Sequence, residues 1–404
     1  TALILPASAY SEDDYHTVLL TGSCAGCDLT EADLEDVDLS GADLSDTDLT
    51  GADLDGADLT GADLTYATLT KASMQGTVLS KATLYRTASK GGTDLRGANL
   101  SRATLYGAYM IDSDWDSASL SGAIIYRSTL TGNDFYNADF SDAVTSGIDL
   151  TDATIRLTTF DGADLTGADL SVTDWTSGSF ADADLTNAVF DGMDLEGVDF
   201  SGATFVGTSV AKAALSWADL SSADLTDQDL SGMTLQGTDF SYATLDGVSL
   251  TESDVRTAAF VGTDLNLGFL DDVKDMRDTN LQDITATGKD LSGWEFSGSD
   301  LSGADLSGAD LSGASMESVS LYDADLSGIS ASGLSIDYAY IGEADLSGAD
   351  LTGITLHNAL MTGSNLSGAD LTGGSLYRSD LGGLDLTSTT LAKVCLLYTS
   401  PSPR

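Results

Sequence analysis

Ala163-Asp164-Leu165-Thr166-Gly167-Ala168-Asp169-Leu170 spells out a five-residue unit that runs through the chain from Leu29 onward. Each unit has a large apolar centre, here Leu165 and Leu170. Two residues before the centre stands a small residue, usually Ala, and directly before it most often Asp; Ser or Thr follows, then commonly Gly. A period of five suits neither regular element. On an α-helix, at about 100° per residue, each unit drifts by about 140°, so the leucines would spiral around every side. On a flat strand an odd period points alternate leucines at water. All centres stay inside only if the chain turns after each unit, and Gly after Ser/Thr supplies the backbone freedom such a corner needs. A chain that turns every five residues must coil.

The large aromatics count the units in one coil. Between Leu95 and Leu270 the centres fall on multiples of five, and nine of them are Phe. Six of the nine share one phase of a 20-residue cycle: Phe140, Phe160, Phe180, Phe200, Phe240 and Phe260. Trp115, Phe135 and Trp175 gather on the neighbouring phase. An interior wall that returns every 20 residues means four units per coil, so the expected fold is an all-β parallel solenoid of square cross-section. The register shifts by one residue twice. Centres run to Leu84 and resume at Leu95, then run to Leu270 and resume at Leu291. The segments near 85–94 and 271–290 read as bulges or short loops at corners.

The Ala-Asp-Leu-x-x pattern resembles the pentapeptide-repeat family, over residues 28–396 of the 404. The resemblance implies a right-handed quadrilateral β-helix; the handedness comes from the family and not from the spacing. It also implies a function, because some members of the family mimic DNA and bind DNA gyrase, although those are shorter and dimerise through a C-terminal element with no counterpart in these motifs. A Cys-x-x-Cys just before the first coil occurs in some members as well, with no role carried across.

Residues 10–27 read as a cap. Ser11 followed by Asp14 is a capping-box-like helix start, with Tyr15 to Leu20 forming one or two turns over the open edge of the first coil. Residues 1–9 read as a signal-peptide remnant ending in Ala7-Ser8-Ala9, which would put the protein in an extracellular, periplasmic or plastid-lumen compartment; the alternative is a slightly apolar tail on a cytoplasmic protein. Residues 397–404 drop the repeat and carry two of the three prolines, a non-repeat tail of artefactual character.

Charge bounds the partners. Lys+Arg number 16 against 64 Asp+Glu, a formal net charge of -48. Such a polyanion repels nucleic acid and anionic membrane and attracts basic proteins and cations. About 18 to 19 coils at about 4.8 Å each would make a rod of about 90 Å. That places one net charge per about 1.9 Å, against about one per 1.7 Å in duplex DNA. Asp before each centre can hydrogen-bond the local backbone, but Asn could do so too and rarely stands there (Asn99 and Asn365 are examples). The surplus charge therefore needs its own reason: mimicry of DNA, solubility of a scaffold, or diffuse and weak binding of divalent cations or mineral, since no EF-hand loop is present.

Catalysis finds no support in the motifs. The two histidines, His16 and His357, lie far apart in the repeat, and Ser and Asp recur because the repeat demands them. No cofactor is implied, and no metal set: Cys24 and Cys27 have no second pair to complete a zinc site. Both fall on inward positions, so they read as core packing or, if exported, as a local disulfide.

One patch breaks the acidic rule. Lys71 to Arg102 holds six of the 16 basic residues and a single acid, Asp94. Allowing for the inserted residue, Tyr85, Tyr106 and Tyr126 fall one coil apart just after a centre, hence outward and exposed, flanked by Arg86 and Arg127; Lys81 and Arg102 stack likewise. The patch reads as a protein-docking face or as an aromatic ladder that stabilises neighbouring strands.

Elsewhere like charges about 4.8 Å apart repel by roughly 0.9 kcal/mol in water. Melting temperature is expected to rise with added salt, and with mild acid if crowding raises the carboxylate pKa values. Thermal melts at low and high ionic strength check the first; indifference to salt would refute the repulsion.

Overall fold

The computed structural model describes residues 10–264 and 273–395. The signal-peptide reading of 1–9 and the tail at 397–404 lie outside these residues. The chain divides into two compact units, Thr1–Ala213 and Ala214–Arg404. Each is a four-sided stack of parallel coils.

The stack is built from single-residue bridges 20 residues apart. Asp28 pairs with Asp48, Asp48 with Thr68, and Asp300 with Ser320, all parallel. Around one bridge, Asp48 donates its N–H to the Cys27 carbonyl at 2.9 Å, and Leu29 donates to the Asp48 carbonyl at 2.9 Å. Only a few bridges lengthen into two-residue strands: β1 (Ala88–Ser89) with β2 (Tyr109–Met110), β3 (Thr154–Ile155) with β5 (Asp174–Trp175), and β4 (Thr158–Thr159) with β6 (Gly178–Ser179). Strands stay short because every corner consumes two residues.

Most corners among the described residues are β-turns closed by the centre's carbonyl, as where Ala32 N–H donates to Leu29 O at 3.0 Å. The third turn residue has positive φ, which a type II turn requires and Gly adopts without steric cost. Gly41 sits there at φ 68°, and Glu31 holds the same position at 58°. The centre and the small residue then both point inward: Leu29, Ala32 and Leu34 are fully buried. Thr at the small position brings a hydroxyl into the core, and Thr77 disposes of it by donating to the Leu54 carbonyl at 2.8 Å.

The aromatic wall stands where the 20-residue phase puts it. Phe140–Phe160, Phe160–Phe180 and Phe180–Phe200 stack at 4.9, 5.4 and 5.2 Å in the first unit, and Phe240–Phe260 at 5.1 Å in the second. Trp115 packs on Phe135 at 5.6 Å, buried with its indole N–H unpartnered, while Trp175 is only half-buried.

The first register shift is a corner bulge. Thr68 still pairs with Ala88 at an offset of 20, but Ser73 pairs with Asp94 at 21. The extra residue lies in Lys90-Gly91-Gly92, where Gly91 adopts φ 116°. Behind it Ser89 and Thr93 share a buried hydroxyl contact of 2.6 Å, and Thr93 donates to Leu69 O, so the widened corner leaves no stranded polar group there. The second shift is shorter than the 271–290 read from sequence. Asp275, Asn280, Thr285 and Asp290 already sit on regular bridges, and the one-residue offset falls between Asp264 and Asp275, a span that includes 265–272 outside the described residues.

The cap is α1 (Glu12–Thr21), N-capped by Ser11, whose hydroxyl accepts the Asp14 N–H at 3.3 Å, and closed by Gly22 at φ 72°. Asp14 takes the Asp28 N–H at 2.9 Å, and Tyr15 donates its hydroxyl to Asp33 O at 3.0 Å, which ties the helix to the first coil's open edge.

Replacing Phe160 by Ala removes the middle ring of the wall and is expected to cost about 3–5 kcal/mol. Denaturant unfolding of the variant measures the loss.

Candidate docking surface

Once the inside is filled with Leu, Phe and Ala, the outward position before each centre is free to differ between faces. In the first two coils it is acidic on all four: Asp28 bridges Asp48, Asp33 bridges Asp53, Asp38 bridges Asp58 and Asp43 bridges Asp63. Residues 1–70 carry 16 acidic side chains and no Lys or Arg. Above them two adjoining faces lose their aspartates for four coils, and a third column, Asp58, Val78, Asn99, Ser119, Asp139, loses them for three. On one the column runs Asp63, Thr83, Thr104, Ile124, Val144, Asp164; on the next it runs Asp48, Thr68, Ala88, Tyr109, Thr129, Asp149. Ile124, Val144 and Tyr109 are exposed at 44%, 37% and 46%.

The corner between these two faces is the tyrosine ladder. Tyr85 stacks on Tyr106 at 5.5 Å and 10°, and Tyr106 on Tyr126 at 5.5 Å. Tyr66, missed in the sequence reading, extends it edge-on to Tyr85 at 5.7 Å. Arg86 lies 5.5 Å over the Tyr85 ring and Arg127 4.9 Å over Tyr126, within cation–π range. Gly107, between the two arginines, holds the same turn position at φ 63°. The expectation of fully exposed tyrosines needs correction. Tyr85, Tyr106 and Tyr126 point outward but are half-buried, because each ring covers its neighbour.

Lys81 and Arg102 occupy equivalent turn positions at φ 62° and 59° on the far corner of the Thr104–Ile124 face. Arg96 is committed to a fork on Asp94, with contacts of 2.9 and 2.6 Å. Among the described residues no ion pair engages Lys81, Arg86, Arg102 or Arg127. The surface is thus aromatic and cationic along its central corner, neutral and partly apolar on the faces beside it, and cationic again on the outer corner that carries Lys81 and Arg102.

The aspartates elsewhere do hold the backbone. In Asp38, Asp43, Asp290 and Asp370 one carboxylate oxygen accepts the N–H two residues on, at 2.9–3.1 Å. Asn99 and Asn365 make the same bond without charge. Hydrogen bonding from Ser40, Ser45, Ser292 and Thr372 holds the pKa of these four carboxyls below the ordinary value. Every carboxyl with a resolved shift among the described residues moves down, against the rise expected from crowding: at these carboxyls bonds to the charged form prevail.

Cys24 and Cys27 form a disulfide, with Cα atoms 5.6 Å apart; Cys24 is buried and Cys27 half-buried. A carboxylate oxygen of Asp14 comes within 4.8 Å of both sulfurs, but disulfide sulfurs are not thiolate ligands. His357 meets Ser375 Oγ at 2.8 Å and Asp337 at 3.7 Å. The second distance is too long for a hydrogen bond, and the ring is edge-on to Tyr377 at 5.8 Å on an outer corner, so the three residues do not form a catalytic relay. No helix of the described residues is long and apolar enough to cross a membrane.

A family model described as pentapeptide repeats matches the chain in eight copies, in segments lying between residues 27 and 376. Three similar solved structures carry that repeat or its fold. HetL, a pentapeptide repeat protein involved in heterocyst differentiation regulation from the cyanobacterium Nostoc sp. strain PCC 7120, is 28% identical, covering 57% of this chain and 88% of its own, with a TM-score of 0.21. Rfr23 from the cyanobacterium Cyanothece 51142 is 22% identical over 32% of this chain and 92% of its own, with a TM-score of 0.20. QnrB1, a plasmid-mediated fluoroquinolone resistance protein, is 16% identical over 63% and 82%, with a TM-score of 0.18. No curated protein matches.

The depressed carboxyls set the pH response. Their contribution is complete above the unfolded value near 4 and is lost as pH falls through the lower folded values. The melting temperature is therefore expected to fall between about pH 5 and about pH 3; scanning calorimetry across that range reads it, and a rise on acidification would contradict it.

Proposed function

The chain belongs to the pentapeptide-repeat family, and on that premise we propose that it is a non-catalytic acidic scaffold that holds a protein partner on the tyrosine–arginine corner of its first unit. One coincidence supports this reading. The four coils in which both adjoining faces lose their aspartates are the coils that carry the stacked tyrosines, Arg86, Arg127, Lys81 and Arg102.

The chemistry of the surface describes the partner: a protein patch with carboxylates facing Arg86 and Arg127 along its middle and Lys81 and Arg102 along one edge, and neutral, partly apolar side chains beside them. Tyr and Arg supply large contact area and paired hydrogen bonds, and rings already stacked lose little freedom on binding. The remaining acid keeps nucleic acid and anionic membrane away and holds divalent cations weakly. The Cys24–Cys27 disulfide supports an exported or lumenal compartment. A second reading, mimicry of DNA toward an enzyme such as gyrase, rests on the four-sided aspartate ladders of residues 28–63.

Replacing Tyr85, Tyr106 and Tyr126 together by Thr, which the outward positions tolerate, should leave the circular dichroism spectrum unchanged. Partner recovered by affinity capture from the source organism should fall about tenfold or more. Retention of every partner removes the docking assignment. Gyrase supercoiling inhibited equally by the parent and the triple variant would move the function to the aspartate ladders.

A further inference from the structure

Only two asparagines in the chain are followed two residues later by Ser or Thr, in Asn99-Leu100-Ser101 and Asn365-Leu366-Ser367. Both stand directly before a centre, where the repeat otherwise favours Asp. Asn280 holds the same position but is followed by Gln282. In an exported protein the triplet Asn-x-Ser, with x other than Pro, is the acceptor of an N-linked glycan.

The folded coils separate the two triplets. At Asn99 one end of the amide is occupied and the other is open. Its Oδ1 accepts the Ser101 N–H at 3.0 Å and the Ser101 hydroxyl at 2.6 Å. Its Nδ2 makes no hydrogen bond among the described residues and is not a buried atom, so it faces solvent. The column neighbours, Val78 below and Ser119 above, are short and uncharged, and the first acids, Asp58 and Asp139, stand two coils away on either side. At Asn365 the amide nitrogen is committed. It donates to Asp345 Oδ1 at 3.0 Å, and Asp385 stands on the next coil, so carboxylates flank it above and below.

From this contrast we infer that Asn99 carries an N-linked glycan and Asn365 does not; the inference rests on the exported compartment proposed above. The co-reactant is a lipid diphosphate-linked oligosaccharide, presented by the membrane transferase of a secretory pathway. Asn99 Nδ2 bonds to the anomeric carbon of the first sugar as the bond from that carbon to the phosphate oxygen breaks. The lipid diphosphate leaves with the electron pair, and one Nδ2 proton passes to a base of the transferase. Asn99 Oδ1 takes no part in the new bond, so it keeps both contacts with Ser101 and the turn is undisturbed. The glycan springs from the face opposite Ala88 and Tyr109, half a coil away, and not from either face beside the stacked tyrosines.

Peptide mapping of the full chain purified from its source organism tests this. Peptide N-glycosidase in heavy-oxygen water should release an oligosaccharide and leave a labelled carboxylate at the Asn99 position, with Asn365 unlabelled. A chain translated into microsomes behind a cleavable signal peptide should gain the same glycan. Asn99→Asp, the residue this column uses at Asp58 and Asp139, should abolish it there, and so should Ser101→Ala, which keeps the backbone N–H. Both variants should retain the parent's circular dichroism spectrum. Asn99 bare on the protein from its source, or a glycan on Asn365 in its place, overturns the inference. The microsomes then show which premise failed: modification there alone removes the export reading, and a bare Asn99 in both removes the site.

Discussion

Every feature of this molecule depends on one constraint: a five-residue period hides its apolar residues only if the backbone reverses direction at every unit. The turn that does so is closed by the centre's own carbonyl and needs positive φ at its third residue. Because the turn recurs every five residues, backbone donors left over point up and down the stack, where the next coil's carbonyls meet them. The core therefore asks very little of the outer positions. Ala, Leu and Phe fill the inside, and whatever stands before each centre on the outside is free to carry function.

That freedom explains how a strongly charged surface coexists with a stable core. One oxygen of an outward Asp serves the turn while the rest of its charge faces water. Asn99 and Asn365 demonstrate that the backbone needs only the oxygen. Uncharged surfaces are then made by omission: aspartates are left out on neighbouring faces and aromatic side chains take the corner between them. Both units leave aspartates out of a column, the first beside the tyrosine–arginine corner and the second at Tyr340 and Leu360.

The coil and its four sides were legible because they are written redundantly. Phe140, Phe160, Phe180 and Phe200 announce the wall, and Ser11 with Asp14 announces the cap. The stack of Tyr85, Tyr106 and Tyr126 was legible once the inserted residue near Gly91 was allowed for. The neutral faces beside it were not noticed, although Thr83, Thr104, Ile124 and Val144 were there to be laid out in columns. The pairing of Cys24 with Cys27 stayed undecided, because inward positions suit a thiol and a disulfide alike.

The chain's own order of residues settled the period, the number of sides, the inward faces and the total charge, since these follow from local repetition and from side-chain chemistry that needs no neighbours. Only the folded coils decided which outward residues become neighbours. Ile124 and Val144, or Tyr340 and Leu360, are 20 residues apart along the chain, and a one-residue shift in any corner would move them to different columns. The pKa direction of the aspartates belongs to the structure for the same reason. Crowding is visible in a list of charges, but the hydroxyl and N–H donors that outweigh it are aimed only once the turn has formed.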